Sequence, residues 1–544
     1  MRALFNYIVR SVAVIATFGL IATACNQPPR EEVLKVYNWG DYIDEELLAE
    51  FEEWYEEQTG CKVKIIYQTF DINEVMLAKI EKGEADFDVV CPSEYIIERM
   101  MRNDLLTPIM TDEFRADLEN TGTENYIERY VSPYIQSQFD KIIAPDGHNP
   151  RDYSVGYMWG TTGILYNTEF VTDEEALSWN LLFDERLEGK ILIKDAFRDV
   201  YSPMLVYAKT LEARDKGLIA EDATLPLNEE ERETLGLSND VPTIEALMFD
   251  ASDESIALVE GYLKQMKRLV AGWEADFGKE MMTQNKAWIN LMWSGDAVWA
   301  IEEAAEVDVS LDYVVPEEGS CVWFDGWVIP KYAENTRAAR YFINYMCKPE
   351  NAVRNMDATG YVSVIADPSV LLSMDYNLAE IDAVVCEMME DIDEDTYAEL
   401  EQSLADLIAA RDELLAEEGV NLGYFFKGED GEPLVFTMSE MYDDIDCQLL
   451  DFEVSAESVL VDPIMYPDAE VIGRCAMMHD SGDQTDKMLE MWSRVKGDNL
   501  SPMMLGFIII SFVVIIVWCV WRKVAKHRKM KKMLKRRRHD RKTK

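Results

Sequence analysis

Hydrophobic positions near the start of the chain switch between the two-residue period of strands and the spacing of helices. Three segments follow the strand pattern: 33–37 (VLKVY), 62–67 (KVKIIY) and 88–91 (DVVC). Two segments between them carry apolar residues at helical spacing and stop at glycine: 44–59 before Gly60 and 73–82 before Gly83. Strand and helix alternate about every thirty residues, which predicts an α/β unit with a largely parallel sheet.

The same alternation returns further along the chain. Strand patterns occupy 163–166 and 190–194 (KILIK), and helical patterns occupy 196–211, 253–270 and 336–346. A single sheet built from all these strands would exceed the usual size of one domain. The pattern therefore predicts two α/β lobes.

Residues 367–460 have a different character. They contain a strongly acidic helical pattern at 397–418 and a hairpin signal at 424–437. We predict an inserted acidic subdomain that is peripheral to ligand capture. The run Asp391, Asp393 and Asp395 imitates the start of a calcium loop, but Thr396 and Gln402 stand where that loop needs Gly and Glu, so no metal site is predicted.

The end of the chain has the pattern of a membrane anchor. Residues 502–521 carry no charge and are long enough to cross a bilayer as a helix. Residues 522–544 contain fourteen Lys and Arg against one Asp, a density typical of the cytoplasmic side. We predict a transmembrane helix at 502–521, a basic cytoplasmic tail at 522–544, and an acidic body on the outer side of the membrane.

The start of the chain agrees with export. Arg2 and Arg10 flank or precede an apolar run that ends at Ala24, which predicts a signal or N-terminal anchor over 1–25 and a tether over 26–32. Cys25 resembles the lipid-acceptor cysteine of bacterial lipoproteins, although Ala22 stands where such signals commonly carry Leu. Cleavage with lipidation and retention as an anchor both leave the body outside.

The composition of the chain excludes some classes of protein and of partner. The 544 residues include 103 Asp and Glu against 52 Lys and Arg, a net charge of −51, yet 48% are hydrophobic. This excludes a disordered acidic polymer and makes nucleic acid an unsuitable partner, because a surface of this sign repels phosphate. The seven cysteines outside Cys25 and Cys519 are odd in number and lack CxxC spacing, which favours buried free thiols.

Motifs for enzymatic chemistry are missing from the sequence. Only His148 and His479 lie outside the basic tail, and there is no GxSxG, HExxH or GxGxxG pattern. Residues 272–279 (GWEADFGK) imitate a phosphate loop with one spacer too many, and Glu280 follows where Ser or Thr should bind magnesium. We therefore predict a protein that is not an enzyme and has no cofactor.

Aromatic residues and carboxylates recur instead at the ends of predicted strands. The first half of the chain contributes Trp39, Asp41, Tyr42, Ser93, Tyr95, Asp195 and Asp199, and the second half Trp293, Asp296, Trp323, Asp325 and Tyr361. Ligands of open α/β sheets lie at the carboxyl ends of strands, and rings with carboxylates suit an organic ammonium. Taken singly, the aspartates could equally cap helices and the tryptophans could equally be core residues.

Several of these runs match a known family in unchanged order. They include VYNWGDYI, FDVVCPSEY, GYMWGTTGILYN, FRDVYSPM, MWSGDAVW, VPEEGSCVWFDGWVIP, TGYVSV and VDPIMYPDAEVI. The chain from about 33 to 497, without 367–460, resembles the periplasmic spermidine/putrescine-binding proteins, which are the solute receptors of polyamine ABC importers. The resemblance says nothing about the span at 502–521 or the basic tail.

The resemblance implies a two-lobed periplasmic binding protein fold of type II that closes on its ligand. Lobe 1 would comprise 33–156 with 324–366, and lobe 2 would comprise 157–323 with 461–498. It also implies that the ligand-binding residues are Trp39, Asp41, Tyr42, Ser93, Tyr95, Asp199, Trp293, Asp296, Trp323, Asp325 and Tyr361. Asp325 and Asp296 would hold one amine, and Asp199 or Asp41 another.

The resemblance implies an extracytoplasmic receptor that captures putrescine or spermidine and delivers it to an ABC permease. Two departures leave the polyamine length open: 476–479 replaces a glutamine of the spermidine type, and the GDxxW pattern with Asp296 is closer to the putrescine type. One alternative is a membrane-anchored sensor with the same ligand trap. Another is a receptor of the same fold for a different solute; a carboxylate ligand would need Arg, and Arg198 is the one inside these motifs.

Overall fold

The computed structural model describes residues 29–83, 86–275, 277–389, 392–428, 430–442 and 447–497. The chain divides into two compact units, Met1–Thr485 and Asp486–Lys544. The predicted signal or anchor (1–25), transmembrane helix (502–521) and basic tail (522–544) lie outside the described residues. Within the described ranges, no helix has the length and apolar character needed to cross a bilayer.

The strands of the described chain are short, apart from two. In chain order they are β1 (Val33–Trp39), β2 (Lys64–Phe70), β3 (Val89–Val90), β4 (Leu106–Thr107), β5 (Ser154–Asn167), β6 (Ile191–Lys194), β7 (Val270–Glu274), β8 (Ile289–Trp293), β9 (Leu311–Val314), β10 (Ser320–Pro330), β11 (Val362–Ser363), β12 (Val435–Thr437), β13 (Glu453–Ser455) and β14 (Cys475–Met477).

The α-helices surround these strands. Those up to the middle of the chain are α1 (Glu46–Thr59), α2 (Asn73–Glu81), α3 (Glu94–Arg102), α4 (Asp112–Thr121), α5 (Tyr126–Tyr130), α6 (Pro133–Phe139), α7 (Pro150–Tyr153), α8 (Asp173–Ala176), α9 (Phe197–Asp215), α10 (Glu229–Thr234), α11 (Ile244–Met248), α12 (Asp253–Met266) and α13 (Gly278–Thr283). The later ones are α14 (Ser294–Ala305), α15 (Thr336–Met346), α16 (Pro349–Thr359), α17 (Pro368–Met374), α18 (Tyr376–Met388), α19 (Glu394–Glu418), α20 (Ala469–Ile472) and α21 (Thr485–Gly497).

The main sheet consists of two parallel groups joined by two antiparallel strands. Its central order is β2-β1-β3-β10-β5-β8-β6-β7. The pairs β1–β2, β1–β3, β6–β7 and β6–β8 are parallel, and β5 and β10 run antiparallel to each other and to their neighbours β8 and β3. The predicted α/β character is therefore confirmed. The parallel pairing predicted for the first segments holds for β1, β2 and β3, whereas the sheet as a whole is mixed because β5 and β10 pair antiparallel.

The strands β5 and β10 connect the two groups. Every residue of both strands is buried. The first half of β5 pairs with β10, whereas its second half, from Thr162 onward, pairs with β8 and β9. These two strands are where the resemblance places the crossovers between lobes, near 156–159 and near Trp323. The exact lobe boundaries remain a prediction.

Local signals explain most helix ends. Gly60 ends α1 with φ of 69°, a left-handed conformation that favours glycine. The predicted helix at 253–270 ends earlier, at Met266, because Val270–Glu274 forms β7 and pairs with β6. Tertiary pairing thus overrides the helical pattern of the last few residues.

The predicted acidic subdomain contains α17, α18 and α19, with β12 and β13. The predicted turn at 428–431 is present: Lys427 and Pro433 form an antiparallel bridge across it, and the Leu434 N–H donates to the Phe426 carbonyl. The hairpin does not extend to the end of the predicted range, because β12 pairs with β13. The Phe425 ring stacks on Trp159 of β5, with ring centroids 5.5 Å apart. This region therefore packs against a connecting strand, and its separation from ligand capture stays a prediction.

The cysteines of the body are free thiols, as predicted. Four of them are buried: Cys91, Cys321, Cys347 and Cys475. The prediction of burial is wrong for Cys61 and Cys386, which are exposed because they lie at a helix–strand turn and on the outer face of α18.

Candidate ligand-binding site

The carboxyl ends of the parallel strands carry the predicted side chains. β1 ends at Trp39 and β8 at Trp293, while Ser93 follows β3 and Asp199 lies in the first turn of the helix after β6. Ten side chains from both parallel groups and from β10 form linked contacts, with Tyr95 joined to Ser93 through Asn73. We call them the strand-end cluster: Tyr42, Ser93, Tyr95, Lys194, Asp199, Trp293, Asp296, Trp323, Asp325 and Tyr361.

Asp325 is the carboxylate contributed by the connecting strand β10. The pairing of β10 with β5 shifts register between Asp325 and Gly326, and a bulge of this kind re-aims a side chain. The Ser93 hydroxyl donates to Asp325 Oδ1 at 2.6 Å, and these two residues also form an isolated β-bridge. The contact between Ser93 and Asp325 thus joins the N-terminus of α3 to β10. We call Ser93, Asp325 and Tyr42 the Asp325 pocket.

Burial dominates the electrostatics of Asp325. It raises the pKa of this carboxyl group to about 7, while the hydroxyls of Ser93 and Tyr42 lower it. The Ser93 hydroxyl has the distance and angles of a hydrogen bond to Asp325, whereas the Tyr42 hydroxyl is buried without a hydrogen-bond partner among the described atoms. Among the described residues, Asp325 forms no ion pair, so its negative charge is left without a protein cation.

Four aromatic rings line this pocket. The Tyr42 ring meets Tyr157 and Tyr361 edge-on, at centroid distances of 5.5 and 5.3 Å, and Tyr361 meets Trp323 at 5.5 Å. Two glycines allow this packing, because a Cβ on Gly160 would lie 2.6 Å from the Trp323 ring and one on Gly295 would lie 2.4 Å from the Tyr361 ring. The rings offer both π faces and an apolar wall.

Asp296 lies in a second pocket, which contains cations of the protein itself. Lys194 Nζ donates to Asp296 Oδ2 at 2.6 Å, and Lys279 Nζ lies 3.4 Å from Oδ1. Burial alone would raise the pKa of Asp296, but the charges of the two lysines bring it below its ordinary value. We call Asp296, Lys194, Lys279 and Trp293 the Asp296 pocket.

Trp293 connects the Asp296 pocket to Asp199. Its indole Nε1 donates to Asp199 Oδ1 at 2.9 Å, and Lys194 Nζ lies 4.3 Å from its ring centroid. Burial raises the pKa of Asp199, against the hydrogen bond from Trp293. Asp199 and Asp296 both lie in the first turns of helices, but the N-cap positions are Ala196 and Trp293, so neither aspartate is a capping residue.

A polar network continues from Ser93 toward Tyr95. The amide nitrogen Nδ2 of Asn73 donates to Ser93 Oγ at 2.9 Å and to the Tyr95 hydroxyl at 3.1 Å. The Tyr95 hydroxyl in turn donates to Glu74 Oε1 at 3.1 Å. Burial raises the pKa of Glu74, which makes it a further carboxyl group with a reduced tendency to ionise.

Among the described residues, Trp39 and Asp41 make no hydrogen bond, ion pair or ring contact with the strand-end cluster. Trp39 is half-buried and packs on Phe70, with ring centroids 4.5 Å apart. Asp41 is exposed, at a turn with φ of 50°. Asp195 follows β6 and is half-buried. Their assignment as ligand contacts stays a prediction.

Several residues of the site were not predicted from the sequence. Asn73, Glu74 and Lys194 join the network through contacts between distant segments. Gly160 and Gly295 lie inside motifs of the resemblance, but only the ring positions show why glycine is needed there. The sequence could have indicated Lys194, because a charged residue ends the otherwise apolar and buried strand ILIK and must find a partner there.

Comparison with known proteins agrees with this geometry. Residues 46–377 match the model of the family described as bacterial extracellular solute-binding protein. The chain belongs to this family. The predictions of a solute-binding protein and of a protein that is not an enzyme are thereby confirmed.

Individual relatives of this solute-binding protein are distant. The spermidine/putrescine-binding periplasmic protein of Escherichia coli K12 is 25% identical over 60% of this chain and 76% of its own length. The putrescine-binding periplasmic protein SpuD of Pseudomonas aeruginosa is 26% identical over 64% of this chain and 82% of its own length.

A solved structure extends the likeness to the fold. A chain from Listeria monocytogenes, solved under the name of a spermidine/putrescine ABC transporter, is 25% identical with a TM-score of 0.52. The match covers 86% of this chain and 99% of that chain. The predicted two-lobed periplasmic binding protein fold is confirmed in this coarse form.

Proposed function

We propose that this solute-binding protein is a polyamine receptor of an ABC importer. The observation that carries the proposal is Asp325: a buried carboxylate, aromatic rings beside it, and no ion pair with a described residue. A group of this kind is completed by a cation from outside the chain. Two relatives named as binding proteins for spermidine/putrescine and for putrescine favour an organic ammonium as the ligand.

A polyamine has two kinds of group that the site must bind: charged ammonium groups and the apolar methylene chain between them. An ammonium group donates charge-assisted hydrogen bonds to Asp325 and is attracted to ring faces such as those of Tyr361 and Trp323. The methylene chain between two ammonium groups packs on the apolar parts of the same rings. Asp199, whose pKa is raised by burial, supplies a second carboxylate for the other amine. Burial removes water and strengthens each charged contact.

An acidic solute suits the strand-end cluster less well. Arg198, the arginine inside the motifs, is buried and donates to the Ser481 hydroxyl at 2.6 Å and to the His479 carbonyl at 2.8 Å. Its guanidinium also donates to the Met248 carbonyl at 3.3 Å and lies 5.7 Å from the ring centroid of Tyr95 in the strand-end cluster. These hydrogen bonds already use donors that a ligand carboxylate would need. A ligand carboxylate would also face Asp325 and Asp199, both negative when ionised.

The proposed receptor is anchored to the cell envelope with its binding unit outside. The support lies in the sequence: an uncharged span at 502–521, the basic tail at 522–544, and Cys25 after an export-type segment. Alkaline phosphatase fused after Lys544 should be inactive in cells, and the same enzyme fused after 497 should be active. Activity of the first fusion would contradict this topology.

Calorimetric titration of the full chain with putrescine, spermidine and spermine tests the ligand. We expect saturable binding of at least one polyamine, with an affinity at least thirtyfold lower in Asp325→Asn. Titration with glutamate serves as the acidic-solute control and should give no binding heat. A protein that binds none of the three polyamines would overturn the proposed function.

A further inference from the structure

Lys194 lies in the surroundings that the sequence predicts for a ligand ammonium. Its Nζ is 2.6 Å from a carboxylate oxygen of Asp296 and 4.3 Å from the Trp293 ring centroid. The Lys194 side chain is 1% exposed. Carboxylate and aromatic face are the two elements of an ammonium site, and here both are met by an amine of the chain.

The carboxylate of Asp296 has little capacity left for a second ammonium. One oxygen contacts Lys194 and the other lies 3.4 Å from Lys279. The buried Glu274 adds a further negative charge 3.5 Å from Lys194 Nζ, so two carboxylates and two ammonium groups balance in this pocket. A ligand amine here would face two positive charges and would have to displace one of them.

The two remaining carboxylates of the strand-end cluster differ from this pattern. Asp325 accepts from a hydroxyl and Asp199 from an indole N–H, both uncharged donors. Burial keeps the pKa of Asp199 raised and outweighs the charges of Arg198 and Lys194, which lower it. These two groups match the two ends of a diamine. A triamine would carry a third ammonium, and the third aspartate of the strand-end cluster, Asp296, is already neutralised within the protein.

We propose that Lys194 is a built-in ammonium that fills one amine position of the site and so makes the receptor select diamines over triamines. This inference rests on the proposed polyamine function. It assigns Lys194 as a specificity-determining residue and Asp296 as its counter-ion rather than as a ligand contact. The selectivity arises because an approaching third ammonium meets a fixed positive charge.

The test compares putrescine, spermidine and diaminooctane by calorimetry on the full chain. Diaminooctane matches the length of spermidine with a methylene in place of the central amine, so it separates charge from length. The wild-type protein should bind putrescine at least tenfold more tightly than spermidine. Lys194→Met should tighten spermidine binding at least tenfold and change diaminooctane binding less than threefold.

Lys190→Met is the matched control. Lys190 lies at the start of the same segment, and its Nζ is 4.6 Å from the Trp288 ring centroid, but it donates to the Lys286 carbonyl outside the strand-end cluster. This variant should leave the ratio of putrescine to spermidine affinity unchanged. A similar shift in both lysine variants would show a general charge effect and overturn the proposal.

Lys194→Met leaves two buried carboxylates without this partner, so a second variant guards against misfolding. Lys194→Met/Asp296→Asn removes one charge of each sign and should bind putrescine within threefold of wild type. A thirtyfold loss of putrescine affinity in this double variant would show that Asp296 contacts the ligand, and would overturn the inference.

The remaining outcomes separate the two proposals. Equal or tighter binding of spermidine than putrescine by the wild-type protein overturns the role of Lys194 and leaves the polyamine function standing. An unchanged affinity ratio in folded Lys194→Met does the same. Failure of the wild-type protein to bind any amine overturns both.

Discussion

Two carboxylate pockets built from similar parts differ in how their charge is neutralised. Asp325 and Asp296 are both buried, both lie beside aromatic rings, and both were predicted to hold a ligand amine. Asp296 meets Lys194 and Lys279, and the pKa of its carboxyl group is lowered. Asp325 meets a serine hydroxyl, and the pKa of its carboxyl group is raised to about 7.

The difference separates a structural ion pair from a binding group. A carboxylate that is already paired contributes to folding, because removing it takes the nearest counter-charge away from a buried lysine. A carboxylate that is desolvated without a cation costs folding free energy when it ionises, and that cost is recovered when a cation binds. The two pockets therefore predict opposite effects of the same chemical change, Asp to Asn.

Asp296→Asn should give the largest effect and should act on stability. Removing this charge takes the nearest carboxylate away from the buried Lys194, whose Nζ lies 3.5 Å from Glu274, and should lower the free energy of unfolding by about 3 kcal/mol. Urea denaturation at neutral pH measures it. Asp395→Asn, on the exposed face of α19, is the control and should change stability by less than about 0.5 kcal/mol. A similarly small change in Asp296→Asn would remove the distinction between the pockets.

The free energy of unfolding should depend on pH through the titration of Asp325. Its carboxyl group has a pKa of about 7 in the folded protein, above its unfolded value, so the folded state binds more protons between these values. Stability from this group is therefore present at low pH and lost as pH rises through about 7. Between pH 5 and pH 8 the loss should be about 2–3 kcal/mol in wild type relative to Asp325→Asn. Parallel curves for the two proteins would contradict the raised pKa.

Ligand affinity should be most sensitive to the charge of Asp325. In Asp325→Asn a bound ammonium loses its unpaired carboxylate, and putrescine affinity should fall at least thirtyfold, about 2 kcal/mol or more. The unfolding midpoint without ligand at pH 8 should not fall. Asp395→Asn again serves as control. Binding as tight as wild type would show that the amine lies elsewhere.

Affinity should also vary with pH in the wild-type protein. The amine binds the ionised carboxylate, so binding releases the proton that Asp325 carries below about pH 7. Putrescine should bind about tenfold more weakly at pH 6 than at pH 8, and calorimetry in buffers of different ionisation enthalpy should detect proton release. Asp325→Asn should lose this dependence, and retention of it there would assign the proton to another group.

The aromatic wall should contribute the smallest effect. Trp323→Phe keeps a ring face and an apolar surface, and the indole Nε1 that it removes is buried without a hydrogen-bond partner among the described atoms. Putrescine affinity should therefore fall by about 1 kcal/mol or less, whereas Trp323→Ala should cost more. Equal losses in both variants would show that the ring face itself contributes nothing.

Much of the fold was predictable because it depends on local periodicity. The strands around 33–37 and 62–67 and the helix at 336–346 were found from spacing alone. Errors arose where a distant partner decided the outcome. Val270–Glu274 became a strand because β6 lies beside it, and Val435–Thr437 paired with Glu453–Ser455 rather than across the nearby glycine turn.

The binding site, like the fold, has features that local sequence predicts and features that depend on distant segments. Its residue types and their place after strands were predictable, because the carboxyl ends of parallel strands meet at one edge. The charge state of each carboxylate was not. Nothing in the local sequence distinguishes Asp296, which contacts a lysine 102 positions away, from Asp325, which contacts a serine 232 positions away.

The sequence by itself determined that this protein has an α/β body with aromatic and acidic residues at its strand ends. Only the tertiary structure decided which aspartate is neutralised within the chain and which is left for a ligand. The physical reason is that desolvation and ion pairing depend on atoms brought together from separate strands, at distances of a few ångströms that spacing along the chain does not encode. Lys194, at the end of a buried strand, is the residue that neutralises Asp296 and has no counterpart at Asp325 among the described residues.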